Sequence, residues 1–325
     1  MLSRRLRVVV VSTMREARGV SRAGSLKPSL LLALVVVAVC SPRPCASLMG
    51  SSSGVTKPEK PVAKGRCLDM NGTIADALER IAKVLDMPNK DTRSKVKSLD
   101  FSTCAVVGNG GTLKTTKFGR AIDSHAVVMR ANQAPIKRYE RIVGKKTTFR
   151  VLNKRWLGSY AAGVKYLPLE DDVILTTSRG VQGTVRKLHQ KYQGSRKVHV
   201  ATLTTEVTGT SKELLMKFRR WVRCRKKRSF PGGNTVTSGL FEVVMALTLC
   251  KRVTVYGFGS GGGQYQYYKF RHTERARGES MHSFDGEKAL ILQMERYGLL
   301  KTCFGKSKGG NCGMKKDRAI PKPSE

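Results

Sequence analysis

Six short runs of β-branched and apolar residues recur along the chain, each too brief for a helix. They are Cys104–Val107 (CAVV), 126–129 (AVVM), 147–152 (TTFRVL), Val173–Thr177 (VILTT), 197–203 and 252–258 (RVTVYGF). Runs that are apolar at consecutive positions describe strands covered on both faces, which is the habit of parallel sheets. Helical periodicity fills the intervals. Residues 68–85 repeat apolar side chains at Ile74, Leu78, Ile81 and Leu85; 239–250 do so at Leu240, Val243, Val244, Leu247 and Cys250; 287–300 at Leu290, Ile291, Met294 and Tyr297. Strands alternating with helices define an α/β fold: a mainly parallel sheet with helices on both faces. In such sheets ligands gather at the carboxyl ends of the strands.

The first 27 residues carry six arginines and Lys27 against a single Glu16, and an uncharged apolar run, residues 30–40 (LLLALVVVAVC), follows. A basic flank before an apolar run reads as a signal anchor oriented by its positive charges, as a signal cleaved near Ala46, or as an Arg-rich transit peptide. The corresponding division is a basic cytoplasmic tail at 1–28, a signal-anchor or signal segment at 29–49, a Pro/Ser/Gly/Lys-rich flexible stem at 50–66 and a catalytic domain at 67–325.

The chain has 61 Lys+Arg against 23 Asp+Glu, a formal charge of +38, which points to anionic partners. Residues 223–228 (RCRKKR) concentrate that charge and read as a solvated loop; no recognised RNA or DNA module accompanies them, so no specific nucleic-acid partner is expected. None of the eight cysteines form C-x-x-C, which removes zinc-ribbon and thioredoxin readings. Asn71-Gly72-Thr73 is a glycosylation sequon.

Four segments hold residue types suited to chemistry. In residues 104–111 (CAVVGNGG), Gly108, Gly110 and Gly111 permit close backbone approach and Asn109 offers donor and acceptor; Leu113 breaks a dinucleotide fingerprint at its last glycine. In 129–135 (MRANQAP), Arg130 and Asn132 follow a strand, where a polar pair orients either a ligand or a turn. In 234–239 (NTVTSG), Thr237 and Ser238 open a helix, where hydroxyls and N–H groups make an anion site or a simple cap. In 282–288 (HSFDGEK), His282 stands five residues before Glu287 and is of a type that moves protons near neutral pH.

Together and in this order, these segments resemble the sialylmotifs of the eukaryotic sialyltransferases. The large motif is similar to residues 104–153, the small to 238–258, and the very small, H-x4-E, to His282–Glu287; the likeness runs from about residue 100 to 300. Such membership implies a Golgi enzyme, single-pass type II with a luminal catalytic domain, of modified GT-A, Rossmann-like fold. It would move sialic acid from CMP-sialic acid to a hydroxyl of a glycoprotein or glycolipid glycan, galactose-terminated, with inversion and without metal or other cofactor. By motif, Asn109 and Asn132 would contact the CMP-sugar, and Ser238 and Gly239, next to Thr237, would hold its carboxylate or phosphate. Gly257 would leave space for the nucleotide, His282 would be the general base, and Cys104 and Cys250 would form a disulfide.

The chain departs from the pattern in two places. Many members carry His-Tyr-Tyr-Glu as a third motif; here the stretch is Gln266, Tyr267, Tyr268, Lys269, so that histidine is absent, as it is in some branches, notably the beta-galactoside alpha-2,6 type, which the large motif also resembles in its Ile-Asp-x-His and Thr-Thr-Phe-Arg segments. Gln266 would then supply one hydrogen bond, and Lys288 or Lys269 the phosphate charge. Ala126 replaces an acidic residue. Alternatives are a transferase for CMP-Kdo or another nonulosonic acid, an inactive family member, and a polyanion binder. Pairing of Cys67, Cys224, Cys303 and Cys312 is open at this stage.

Overall fold

Four strands are buried at every residue: β2 (Cys104–Val107), β3 (Val127–Ala131), β4 (Phe149–Leu152) and β5 (Val173–Thr177). They are the middle of an eight-stranded sheet in a computed structural model that describes residues 67–178, 180, 182–259, 265–268, 280–304 and 312. The expected tail (1–28), anchor (29–49) and stem (50–66), and Lys269, lie outside the described residues. Among the described residues no helix is long and apolar enough to cross a membrane.

The remaining strands are β1 (Leu85–Asp86), β6 (Val198–Leu203), β7 (Val253–Tyr256) and β8 (Lys301–Cys303). The sheet runs β1-β6-β5-β4-β3-β2-β7-β8 and is parallel throughout except where β1 meets β6. Side chains alternate between its faces, as strand geometry requires. Val106, Met129, Val151 and Ile174 pack beneath one helical layer, which includes α1 (Met70–Glu79), α7 (Thr205–Lys226), α8 (Ser238–Leu249) and α9 (Phe284–Arg296). On the opposite face Ala105, Val107 and Val128 meet Leu113 and Ile122, the latter on α3 (Gly119–Asp123). Leu152, Val173 and Leu175 meet Trp156 and Tyr160 of α5 (Lys154–Ala162) and Leu188 of α6 (Gln182–Lys191). The expected mainly parallel α/β architecture is the one observed.

Several boundaries differ from expectation. The helix expected over 68–85 is α1, capped by the Asp69 side chain, which accepts from the Asn71 and Gly72 N–H groups. It stops at Glu79 because Leu85 is used in β1, paired with Leu203. The basic run at 223–228 is not a loop. Arg223, Arg225 and Lys226 form the last turn of α7, where cations favour the negative end of the helix dipole, and Lys227 caps it in the left-handed region. α2 (Lys90–Lys97) and the short α4 (Glu140–Val143) complete the described α-helices.

Three disulfides are formed among the described residues: Cys104–Cys250, as the family likeness implied, together with Cys67–Cys224 and Cys303–Cys312.

From β2 the chain steps through β3, β4, β5 and β6 in one direction, then returns through α7 and α8 to β7 on the other side of β2. The reversal lies between β2 and β7, and the carboxyl ends of these two neighbours mark the switch point, where open α/β sheets form the crevice that takes ligands.

Candidate active site

The crevice starts with two glycine-bearing loops laid against each other. β2 and β7 pair Val107 with Tyr256, so residues 108–111 and 257–259 leave the sheet side by side. Gly108 N–H donates to the Tyr256 carbonyl at 2.8 Å and Gly110 N–H to the Gly257 carbonyl at 2.9 Å. A Cβ on Gly108 would sit 2.7 Å from the Gly257 oxygen, and one on Gly110 2.6 Å from the same atom. The glycines of the large motif therefore bring two loops together. Gly257 itself has φ 66°, and a side chain there would collide with Leu113.

The helix N-terminus at this crevice belongs to α8. The loop after β2 opens only onto a 3-10 turn, Gly111–Thr115, in keeping with the broken dinucleotide fingerprint. Gly239 sits against Phe258, just beyond β7: a Cβ there would lie 2.9 Å from the ring. The first N–H groups of α8 thus open over the ends of β2 and β7. Thr237 is the cap; its hydroxyl accepts from Leu240 N–H at 3.2 Å and donates to Glu287, which also accepts the Thr237 N–H at 2.8 Å. Ser238 Oγ is buried, with no hydrogen-bond partner among the described residues.

α9 brings the third element. Lys288 reaches back over the β7 loop, its ammonium 2.8 Å from where a Cβ on Gly259 would stand. Two residues before α9, half-buried His282 places Nδ1 2.6 Å from the Thr235 carbonyl. A carbonyl oxygen only accepts, so Nδ1 carries the proton and the lone pair of the neutral ring is on Nε2. Thr235 N–H donates to the Met281 carbonyl and Ser283 Oγ to the Pro231 carbonyl, strapping 231–235 to 281–283. Arg219 of α7 holds the same loop from behind through the Phe230, Gly232 and Gly233 carbonyls and the Asn234 side chain.

Gln266 lies on a short segment bridged antiparallel to Gly110, and Tyr265 of that segment packs edge-on against Phe284, the neighbour of His282 in ring contact. The segments that carry Asn109, Gln266, Thr237, Ser238, Gly239, Gly257, Lys288 and His282 thus contact one another beyond the carboxyl ends of β2 and β7.

Asn132 occupies the end of the adjacent strand β3 in a left-handed conformation (φ 55°), and its side-chain oxygen accepts from Asn153 N–H at 2.8 Å, joining the ends of β3 and β4. Arg130 does not face a ligand. It lies within β3, fully buried, with Nε and Nη2 donating to the Val143 and Lys146 carbonyls and the Thr147 hydroxyl, and Nη1 buried without a hydrogen-bond partner among the described residues. Asp123, Thr147 and Thr148 of the large motif are likewise framework. Asp123 accepts from Lys145 and Lys146 N–H, and Thr148 Oγ1 accepts from Val128 N–H. Cys104 and Cys250 are bonded at the opposite end of β2 and α8 from the crevice, and Asn71 is exposed in the first turn of α1.

Residue-type reasoning passed over Thr112, Tyr268 and Glu242, whose importance rests on which atoms find partners. Asn109 Oδ1, Thr112 Oγ1, Gln266 Oε1 and both carboxyl oxygens of Glu242 are buried with no hydrogen-bond partner among the described residues.

The chain is similar in sequence to known proteins. The chain is 30% identical over 204 residues to Sialyltransferase-like protein 2 of Arabidopsis thaliana, covering 62% of this chain and 39% of that protein. It is 30% identical over 199 residues to CMP-N-acetylneuraminate-beta-galactosamide-alpha-2,3-sialyltransferase 1 of Gallus gallus, covering 60% and 55%. It is 24% identical over 249 residues to Beta-1,6-galactosyltransferase GALT29A of Arabidopsis thaliana, covering 72% and 60%. The chain spans about half the length of the curated relatives it matches. Among solved structures, a mammalian sialyltransferase crystal structure is similar at 20% identity and TM-score 0.44, covering 75% of this chain and 88% of that one. The family description Glycosyltransferase family 29 (sialyltransferase) matches residues 56–299, and the chain belongs to that family.

Proposed function

We propose that the protein is a sialyltransferase that moves sialic acid from CMP-sialic acid to a hydroxyl of a galactose-terminated glycan, with inversion and without a metal. The observation that carries this reading is the reversal of strand order between β2 and β7. The segments that meet beyond their carboxyl ends include a lysine ammonium, a helix N-terminus and a histidine whose Nδ1 faces a carbonyl.

The nucleophile is a neutral alcohol and the leaving group a phosphate monoester, so the transition state needs a base on one side and a fixed anion site on the other. His282 Nε2 takes the acceptor proton as the acceptor oxygen bonds to the anomeric carbon. The bond from that carbon to the phosphate oxygen breaks on the opposite face. Charge developing on CMP meets the α8 N–H groups at Ser238 and Gly239, the Lys288 ammonium and the Gln266 amide, which stands where many members have histidine. Asn109 and Asn132 border the same donor.

The sheet is read as the family's modified GT-A, Rossmann-like form. Three disulfides favour an oxidising compartment, which supports a luminal Golgi domain behind a type II anchor at 29–49 and a glycan on exposed Asn71. The Ile-Asp-x-His and Thr-Thr-Phe-Arg segments favour an alpha-2,6 linkage; an alpha-2,3 product overturns that part.

Purified protein is incubated with CMP-sialic acid and galactose-terminated glycans, with CMP-Kdo and UDP-galactose as competing donors. Wild type is expected to use CMP-sialic acid. His282→Ala is expected to lower transfer roughly 10²–10⁴-fold while CMP still binds. Equal turnover by both proteins removes His282 as base. CMP binding without transfer of any sugar marks an inactive member, and absence of CMP binding overturns the reading.

A further inference from the structure

Side chains along β7 alternate between the faces of the sheet, Val255 packing under the α8 layer and Tyr256 on the opposite side. Continued alternation would send Phe258 to the side of Tyr256. It packs instead against the α8 layer, with Val255. The cause is Gly257, which at φ 66° adopts a conformation open to glycine and turns the chain over between the two residues. Gly259 follows with φ 111°, so Phe258 stands between two residues of positive φ.

The half-buried ring fills the gap between two segments that come from distant parts of the chain. A Cβ on Gly108, in the loop after β2, would lie 2.7 Å from ring carbon Cδ2; a Cβ on Gly239, in the first turn of α8, would lie 2.9 Å from Cε1. Cδ2 and Cε1 are para carbons, so the two glycines meet opposite ends of one ring diameter. An in-plane shift of the ring away from Gly239 drives it into Gly108. Phe304 packs on the same ring with centres 6.0 Å apart, and it follows Cys303, whose carbonyl accepts the Gly257 N–H at 3.1 Å. The ring is therefore rigid, backed, and touched at both ends by residues that have no side chain to yield.

We infer that Phe258 is a positioning residue: its ring is the spacer that sets how far the first turn of α8, with Ser238 and Gly239, stands from the loop after β2. The inference rests on the donor site proposed above, in which that turn receives the leaving phosphate, and Phe258 acts through the helix. A shorter aliphatic side chain has no carbon at the Cε1 and Cζ positions. The start of α8 then settles toward the loop, and its N–H groups no longer point to where charge develops.

The test uses the full chain in a two-by-two cycle of Phe258→Leu and Gly239→Ala, read by thermal melting and by calorimetric titration with CMP well below the melting range. In the wild-type background Gly239→Ala drives a methyl group into the ring and is expected to lower the melting temperature by roughly 3–8 °C. In the Phe258→Leu background the same substitution meets no ring carbon and gains the helix propensity of alanine, and is expected to raise the melting temperature by roughly 1–3 °C. Should Gly239→Ala alone not fold, its folding when combined with Phe258→Leu gives the same answer. Phe258→Leu alone is expected to weaken CMP about tenfold. A phenylalanine that only filled space would lower the melting temperature and leave CMP affinity within about twofold. A Gly239→Ala shift of the same sign and size in both backgrounds, or unchanged CMP affinity in Phe258→Leu, overturns the inference while the donor reading stands. If wild type binds no CMP the donor reading fails, and the melting cycle by itself still decides whether the ring is the spacer.

Discussion

Glu287 grips Thr237 with both carboxylate oxygens, one on its N–H at 2.8 Å and the other on its hydroxyl. Fifty residues of chain separate the two, and the grip sets α9 against the N-terminus of α8. The glutamate of the H-x4-E pattern therefore acts on the helix cap, while the histidine of the same pattern faces the Thr235 carbonyl two residues earlier. Glu287→Ala deletes two charge-assisted bonds and strands a buried cap, and is expected to cost about 2–3 kcal/mol. Melting should fall roughly 5–10 °C and CMP affinity about tenfold. Glu287→Gln, still able to bond the hydroxyl, should lose about half of each. An alanine variant melting within a degree of wild type would remove the grip as a structural element.

Glycines in this fold divide by what a methyl group would meet. Gly110 faces the Gly257 carbonyl oxygen at 2.6 Å from an added Cβ, and neither backbone segment can yield without opening the crevice. Gly110→Ala is expected to destabilise by about 1–3 kcal/mol and to abolish detectable CMP binding in calorimetry. Gly209 lies in α7, exposed, with nothing within 4 Å of an added Cβ. Gly209→Ala should stabilise by roughly 0.8–1 kcal/mol through helix propensity alone and leave CMP binding untouched. Thermal melts and titrations of the pair decide the matter, and melting shifts of the same sign in both would contradict it.

The central strands were legible because burial on both faces leaves a continuous apolar run, and CAVV and VILTT match β2 and β5 residue for residue. β1 and β8, with two and three residues, are too short to show any period. α7 had a signal in Val207, Leu214, Leu215, Phe218 and Val222, but basic residues interleave it and obscure the stripe. Asn109, Ser238 and His282 could be singled out because strand ends and helix starts are where such side chains serve ligands. Arg130 misled, because the partners of a side chain, unlike its position, are not legible in the sequence. Its position beside Asn132 suggested a ligand, and only the carbonyls around it reveal a framework cation.

Glu242 supplies a pH signature. It is fully buried on α8, and neither carboxyl oxygen has a hydrogen-bond partner among the described residues. Burial pushes its carboxyl well above the ordinary range, and the charges of Arg150 and Arg130 offset this only in part. The folded protein keeps the proton, whereas the unfolded chain releases it near pH ~4.3. Between those two values the unfolded state binds fewer protons, so stability falls as pH rises and the loss is absent below about pH 4. Glu242→Gln removes the titration. At pH 4 its melting temperature should match wild type, and at pH 7.5 it should exceed it by roughly 2–8 °C, equivalent to about 1–3 kcal/mol. A difference that is the same at both pH values would show that Glu242 does not titrate.

The disulfide between Cys104 and Cys250 joins the first residue of β2 to the C-cap of α8, at the end of the sheet away from the crevice. Its effect on the site is one of lever and pivot. Fixing the far end of a twelve-residue helix on β2 limits how far Ser238 and Gly239 can swing over Asn109 at the near end. The bond also closes a long loop, its cysteines 146 residues apart, so removing it frees much unfolded-state entropy. Cys104→Ala/Cys250→Ala is expected to cost about 3–5 kcal/mol, read as a melting temperature lower by roughly 10 °C, and to weaken CMP binding even well below that temperature. The Cys67–Cys224 bond closes a loop of similar length, cysteines 157 apart, but ties the residue before α1's cap region to the last turn of α7, and Cys67→Ala/Cys224→Ala removes it. That change should cost comparable stability and leave CMP affinity within about twofold. The two double variants separate unfolded-state entropy, which they share, from control of the α8 pivot, which only the first removes. Equal losses of CMP affinity in both would leave the pivot without support.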